Sequence, residues 1–388
     1  IMLALPVVAQ QDSIYKEHQL KEVTVTSGAN RRMSGAVNGM KIGQQELIRA
    51  ACCNLGESFT TNPSVDVNYS DAATGARQIK LLGLSGTYVQ MMTENIPSYR
   101  GLSMPYALGF VPGTWMQSIQ VSKGASSVKN GPESITGQIN VELIKPHLQD
   151  GVWGNVYADS KLKTEANATG AIHLNNRLST ALLLHAENAS RAHDANDDSF
   201  MDMPKVQQLS FANRWAYQYK HIFSQLMVKM LHEERIGGQT NHKPSPGVDC
   251  YHISLNTDRY EGQWKNAYMF HDDHNTSIAL ILAGQLHRGD NVIGKSVYDV
   301  NNNTGYAQLL FETDLSEKHN LAAGASYNFD YFKEDIGLSN PSADNINGLH
   351  HLNEATVGAY AQYTLKLGDK FTAMAGVRED YNEAYGSF

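Results

Sequence analysis

From about residue 151 onward, polar and apolar residues alternate along this chain with a period of two. Side chains of a β-strand point to opposite faces in turn, so this pattern makes one face apolar and the other polar. Between Thr304 and Leu315, the residues Ala307, Leu309, Phe311 and Leu315 share one face, while Gln308, Glu312 and Asp314 take the other. Between Asn320 and Tyr331, the set Leu321, Ala323, Ala325, Tyr327, Phe329 and Tyr331 opposes Asn320, Gly324, Ser326, Asn328 and Asp330. Residues 166–175 and 356–367 repeat the arrangement. Strands are expected at roughly 152–159, 165–175, 178–188, 206–217, 221–233, 253–265, 275–288, 304–315, 319–332, 354–367 and 370–382.

The connections differ in length. Residues 175–177 and 368–370 make short turns, whereas 189–205, 235–251 and 334–352 read as long loops rich in Asn, Asp, His, Ser and Pro. Strands of roughly ten residues, one apolar face, and turns that alternate short and long describe a transmembrane β-barrel. Closure leaves no backbone donor or acceptor facing lipid. A soluble β-sandwich also alternates. Strand length, an outward set of small residues ending in aromatics, and the loop alternation favour the barrel. The hydrophobic share of 41% and the mean hydropathy of -0.38 do not oppose it, because averaging cancels one face against the other. They do oppose a helical membrane protein, since no run of about 18 apolar residues appears. A net charge of -8 and the lack of a basic stripe oppose nucleic-acid binding. Three cysteines in 388 residues cannot build a disulfide scaffold.

Residues 38–146 follow other rules. A helical pattern covers Gln44–Ile48 and Leu55–Phe59, and Asn62-Pro63 breaks it. Short strands are expected at 65–69, 78–82, 88–92, 119–121 and 139–144, joined by turn-rich stretches. Before them, Ile1–Ala9 is an apolar run followed by Gln10-Gln11-Asp12, which reads as the tail of a signal peptide cleaved after Ala9. The last residues up to Phe388 read as the interior of a longer sequence, with a C-terminal barrel aromatic as the alternative. About eleven strands is an odd number, and single-chain bacterial barrels have an even one.

A small α/β domain followed by a long-looped barrel resembles the TonB-dependent outer-membrane receptors. Leu20, Lys21, Glu22, Val23, Thr24, Val25 and Thr26 resemble the family's TonB box. The segment Gln78–Pro97 is similar to the plug stretch that usually reads Arg-Gly, a strand, then Asp-Gly-x-Pro; here those pairs are Leu82-Gly83 and Glu94-Asn95. Ile119–Gly124, Ser134–Val141 and Lys145-Pro146 resemble the closing segment that hands the plug over to the first barrel strand. The resemblance implies a mostly β fold, with a small α/β plug inside a large antiparallel transmembrane barrel that is incomplete in this chain. The family barrel has about 22 strands around a plugged lumen. The expected parts are a signal remnant (1–9), a periplasmic segment with the TonB box (10–37), the plug (38–147) and the first part of the barrel (148–388).

The resemblance implies TonB-energised uptake of a metal chelate such as an iron-siderophore, in the outer membrane of a Gram-negative bacterium. Cobalamin or another bulky nutrient is the alternative within the family. A ligand-sensing or passive barrel is the alternative outside it. The implied partners are the periplasmic domain of TonB, a small-molecule ligand and outer-membrane lipid, with no nucleic acid and no cofactor. An extended stretch such as Val23–Thr26 can pair its backbone with a partner's sheet edge. Tyr99, Arg100 and Tyr106 make an aromatic and cationic loop suited to an anionic or aromatic chelate. Cys52 and Cys53 could bind a soft metal. The other reading is packing as small hydrophobes, and no spaced partner ligands accompany them. His193, His242, His271, His274, His350 and His351 fall in or near loops, where solvated polar residues are usual. No catalytic motif stands out, and no resident metal is expected.

Overall fold

The structure, a computed structural model, describes residues 39–49, 53–60, 65–124, 127–240, 250–270, 275–338, 346–367 and 371–388. The expected signal remnant and the expected TonB box lie outside these residues. In the N-terminal part, β1 (Gly39–Gly43) leads into a six-residue helix, α1 (Gln44–Arg49). Then come β2 (Asp66–Asp71), β3 (Ala76–Leu81), β4 (Leu84–Ser85), β5 (Val89–Thr93), β6 (Ile96–Pro97), β7 (Met116–Lys123) and β8 (Gly137–Leu143). Two sheets result, ordered β1-β7-β8-β5-β6 and β2-β3-β4. The second half of the expected helix is a single 3-10 turn, Glu57–Phe59. This part has its own core, in which Leu55, Phe59, Leu81, Phe110, Trp115, Ile119 and Ile139 are buried.

The alternating segments form one antiparallel meander of β9 (Gly151–Ala158), β10 (Thr164–Asn175), β11 (Leu178–Ala189), β12 (Lys205–Tyr219), β13 (Ile222–Gly238), β14 (His252–Met269), β15 (Thr276–Ile293), β16 (Ser296–Ser316), β17 (His319–Leu338), β18 (Ile346–Leu367), β19 (Phe371–Asn382) and β20 (Gly386–Ser387). Each strand pairs with its sequence neighbour, and β9 and β20 are the two edges. Eleven long strands were expected near these positions, and β9–β19 occupy them. Strand length is the correction. β12–β18 run to 15–22 residues, and much of the stretch read as a loop at 334–352 is ladder, with Glu334 opposite His350 and Ile336 opposite Gly348. Likewise β15 and β16 continue through 289–303 to a two-residue turn at Gly294-Lys295. A wall that rises out of lipid no longer needs an apolar outer face, so its polar residues look like a loop.

Burial is inverted relative to a soluble protein. Inward positions Gln208, Ser210, Arg214, Lys229, Glu261, Lys265, Gln285 and His287 are buried, while outward Leu184, Leu209, Leu226, Met230, Trp264, Leu282 and Leu309 are exposed. The sheet wraps its polar face around the N-terminal part and leaves its apolar face to lipid. A few inward apolar residues, Leu183, Ala212, Met227 and Leu231, join the core of the enclosed part. At the short-turn end, outward aromatics collect. Tyr268 and Phe270 meet edge to face at 5.3 Å, and the Arg177 guanidinium lies 3.9 Å over the Tyr219 ring. Such amphipathic rings mark a membrane–water boundary.

Candidate functional site

One segment of the enclosed part, Glu94–Tyr106, carries several of its contacts with the wall. It begins as the two-residue turn between β5 and β6, where Thr93 pairs with Ile96. Both turn residues, Glu94 and Asn95, have positive φ, 57° and 60°. This is the handedness that a tight hairpin turn needs. Asn tolerates it well; Glu does so at a cost. The turn places the Glu94 carboxylate in the interior. The Leu143 amide donates to Oε1 at 2.9 Å, and Arg214 Nη1 of β12 lies 3.0 Å from the same oxygen. Lys265 of β14 donates to the Glu94 carbonyl and sits 3.9 Å from Oε2. Burial pushes the Glu94 carboxyl up, but Arg214, Lys145 and Lys265 outweigh it and hold the group well below the usual carboxylate range. Arg214 also donates to the Ile144 carbonyl at 2.7 Å. One carboxylate thus joins the enclosed part to two wall strands.

Five residues on, Tyr99 is buried with φ 57°. Lys229 of β13 donates to its hydroxyl at 2.9 Å. The Arg259 guanidinium of β14 stands 5.1 Å from the ring centroid. Glu261 pairs with both cations, at 3.3 Å and 2.5 Å. A bulky residue in the left-handed region costs of order 1–3 kcal/mol and persists only where the surroundings hold it. The cation pair supplies that hold. Arg100 next pairs with Asp330 of β17 and lies 3.2 Å from Glu133.

Tyr106 has a different setting. The Arg235 guanidinium lies 5.1 Å from its ring centroid, and Glu233 accepts from Arg235 at 2.6 and 2.9 Å. Burial pushes the Tyr106 hydroxyl up. The residue lines a cavity of about 250 Å3, together with Tyr69, Arg77, Lys163, Glu187, His193 and Arg235. Its wall residues belong to the 159–163 and 190–204 connections and the adjoining strand ends. That is the long-loop end, which in membrane barrels faces outside. The three loop residues named from sequence therefore separate. Tyr99 and Arg100 fasten the segment to the wall, and Tyr106 faces the outward cavity.

Other candidates fall apart in space. His193 Nε2 lies 2.9 Å from the Lys161 carbonyl oxygen beside the cavity, whereas His350 and His351 are exposed on β18. Cys52, His242, His271 and His274 lie outside the described residues. The Cys53 amide donates to Glu57 Oε2 at 3.0 Å, and burial together with Glu165 and Glu57 pushes its thiol up. Sequence reasoning passed over Glu94 and its wall partners. The available signal was the set of charged residues at inward positions of otherwise alternating strands, Lys229, Arg259, Glu261 and Lys265. Such buried charges need partners, and in a filled lumen these sit on the filling as well as on the wall, as Tyr99 and Glu261 do for Lys229.

Comparison with known proteins covers both parts. Residues 29–138 match the TonB-dependent receptor plug domain. Residues 265–388 match an outer membrane protein β-barrel family. No curated protein matches the chain. Among solved structures it is similar to the siderophore receptor PiuA from Acinetobacter baumannii, at 12% identity and a TM-score of 0.71, over 91% of this chain and 60% of that one. It is also similar to the ferric yersiniabactin uptake receptor FyuA from Yersinia pestis, at 15% identity and a TM-score of 0.73, over 91% and 58%. The alcaligin outer-membrane receptor FauA from Bordetella pertussis matches at 12% and 0.69, over 89% and 55%. At such identities the likeness is one of fold. The chain spans 55–60% of the length of these receptors.

Proposed function

This chain is a TonB-dependent outer-membrane receptor, with a plug and antiparallel barrel strands, and from that premise we propose that it serves TonB-energised uptake of a metal chelate, with iron-siderophores as the leading class. It is a receptor of the cell outer membrane and not an enzyme. The observation that carries the proposal is the outward cavity floored by the seated plug. A ligand arriving from outside meets Tyr69, Arg77 and Tyr106 on the plug before it meets any through-path. Aromatic rings beside guanidinium groups suit an anionic, aromatic chelate. The plug also opposes a passive pore, because Trp115, Phe110 and Ile119 fill the lumen with packed core.

Energy must reach such a plug from the other membrane. The extended stretch Leu20–Thr26 is the proposed site for the periplasmic domain of TonB, by strand addition to an exposed sheet edge. A peptide of residues 18–28 is expected to retain that domain in a pull-down, and the Val23→Pro peptide to lose it. No binding by the wild-type peptide sinks energised transport. Uptake of radioiron chelates by cells carrying the full-length receptor, with and without TonB, tests the ligand class. Cobalamin uptake in place of iron uptake overturns the iron reading and leaves the transporter reading standing.

A further inference from the structure

The fastening of the plug differs among the wall strands of this chain. Among the described residues, its ion pairs with the wall fall on β12, β14, β16 and β17: Glu94 with Arg214 and Lys265, Lys129 with Glu312, and Arg100 with Asp330. Toward β9 and β10, Thr114 Oγ1 donates to Asn167 Oδ1 at 2.9 Å, and the Cys53 thiol meets Glu165 beside it. Two cavities occupy this same side. The outer one, about 250 Å3, opens at the long-loop end. The inner one, about 290 Å3, lies between the plug and β9–β10 and is lined by Leu47, Met116, Ile144, Trp153 and Thr169. Trp153 of β9 and Thr169 of β10 lie farther from the 159–163 connection than Lys161 and Lys163, which line the outer cavity, so the inner cavity lies below the outer one.

What separates the cavities is thin. Lys163 and Glu187 line the upper one and Glu165 lines the lower one. Lys163 Nζ bridges both carboxylates, at 2.8 Å to Glu165 and 3.3 Å to Glu187. On the plug side, Glu57 faces the upper cavity and Cys53 the lower. We propose that the passage for ligand opens between the plug and β9–β10, with the Lys163–Glu165–Glu187 cluster as its constriction. A plug segment held there by hydrogen bonds beside two voids moves at lower cost than one held by buried ion pairs, whose breakage leaves uncompensated charge. An anionic ligand replaces one carboxylate at Lys163 as it passes, so the lysine is not left unpaired.

The inference rests on the uptake reading, and its test separates the two. In full-length receptor with Cys52, Cys53 and Cys250 changed to Ser, one variant carries Thr114→Cys with Asn167→Cys, which tethers the plug to β10. A second carries Ser127→Cys with Gln362→Cys, whose wild-type side chains touch at 2.7 Å, and tethers it to β18. The probe is radioiron bound by a tris-catecholate or a tris-hydroxamate. Binding to cells lacking TonB verifies that each variant is folded. The oxidised β10 tether is expected to reduce uptake to the level without TonB, with recovery on reduction, while the β18 tether leaves uptake at the wild-type level. Equal loss in both, loss only with the β18 tether, or no loss in either overturns the proposal. Thr169→Phe, which fills the inner cavity without a thiol, is expected to block uptake and spare binding; undiminished uptake in that variant also overturns it. Wild-type receptor that takes up neither chelate overturns the iron-chelate reading on which the inference rests.

Discussion

Arg214 Nη1 on the wall lies 3.0 Å from Glu94 Oε1 on the plug, and the same arginine caps the Ile144 carbonyl at 2.7 Å. Both groups are buried. Removing one side of a buried pair costs about 3–5 kcal/mol, because the other charge stays behind. Glu94→Gln is therefore expected to loosen the plug by that amount at neutral pH, seen as a lower urea midpoint for plug release in outer-membrane vesicles. The pH dependence follows from the lowered carboxyl. The stability it contributes is complete above the ordinary carboxylate range and is lost progressively as pH falls from that range to well below it. The Gln variant is expected to lack that acid-side loss. An unchanged midpoint at neutral pH excludes the junction as a plug seat.

Tyr99 is the second fastening. Tyr99→Phe removes the acceptor of the Lys229 ammonium and leaves Glu261 as its remaining partner here. A buried donor deprived of a partner costs about 1–3 kcal/mol. The same urea experiment is expected to show a loss of that size for Tyr99→Phe. A cycle with Lys229→Met is expected to show coupling, since residues in direct contact are not additive. Additive losses exclude the contact.

The connector between plug and barrel holds a pH-sensitive group. His147 packs edge-on against Phe223, with ring centroids 5.3 Å apart. Burial, with Lys145 and Arg214 nearby, lowers its pKa from 6.5 to about 4. The folded state then binds fewer protons than the unfolded state between those values, so stability falls as pH drops through that window. His147→Phe keeps the ring and removes the proton site. It is expected to flatten the pH dependence of plug release between pH 6.5 and 4. A slope equal to that of wild type assigns the dependence elsewhere.

The barrel was legible because its pattern is repeated in every strand and depends only on which face meets lipid. The pairs Ala307/Leu309/Phe311 and Gln308/Glu312 state that directly. Strand ends were not legible. Above the lipid, Asn301–Asn303 and Glu334–Ile336 remain in ladder although nothing in their polarity requires it. The site was partly legible. The sequence around Tyr99 and Tyr106 marks a loop of the right chemistry, but it does not say which ring turns inward. That depends on the left-handed backbone at Glu94, Asn95 and Tyr99. It depends equally on wall residues more than a hundred positions away, such as Lys229 and Arg259.

The lipid face itself is open to test. Leu282 lies near the middle of β15 on the outward face, opposite Trp264 on one side and Ala307 on the other. Asp290 lies on the same face toward the long-loop end. A charge at the midplane costs about 2–4 kcal/mol and one near the interface about 0–1 kcal/mol. Leu282→Arg is therefore expected to lower the folded fraction of full-length receptor in lipid vesicles, read as the urea midpoint of barrel unfolding. Asp290→Arg is expected to shift it little. Inward residues give the opposite contrast: Gln285 on the same strand is buried, beside Arg259 and Ser98. Gln285→Leu is expected to cost stability by stripping those partners, although it is the more apolar residue. A barrel that tolerates Leu282→Arg and is stabilised by Gln285→Leu has its faces assigned the wrong way round.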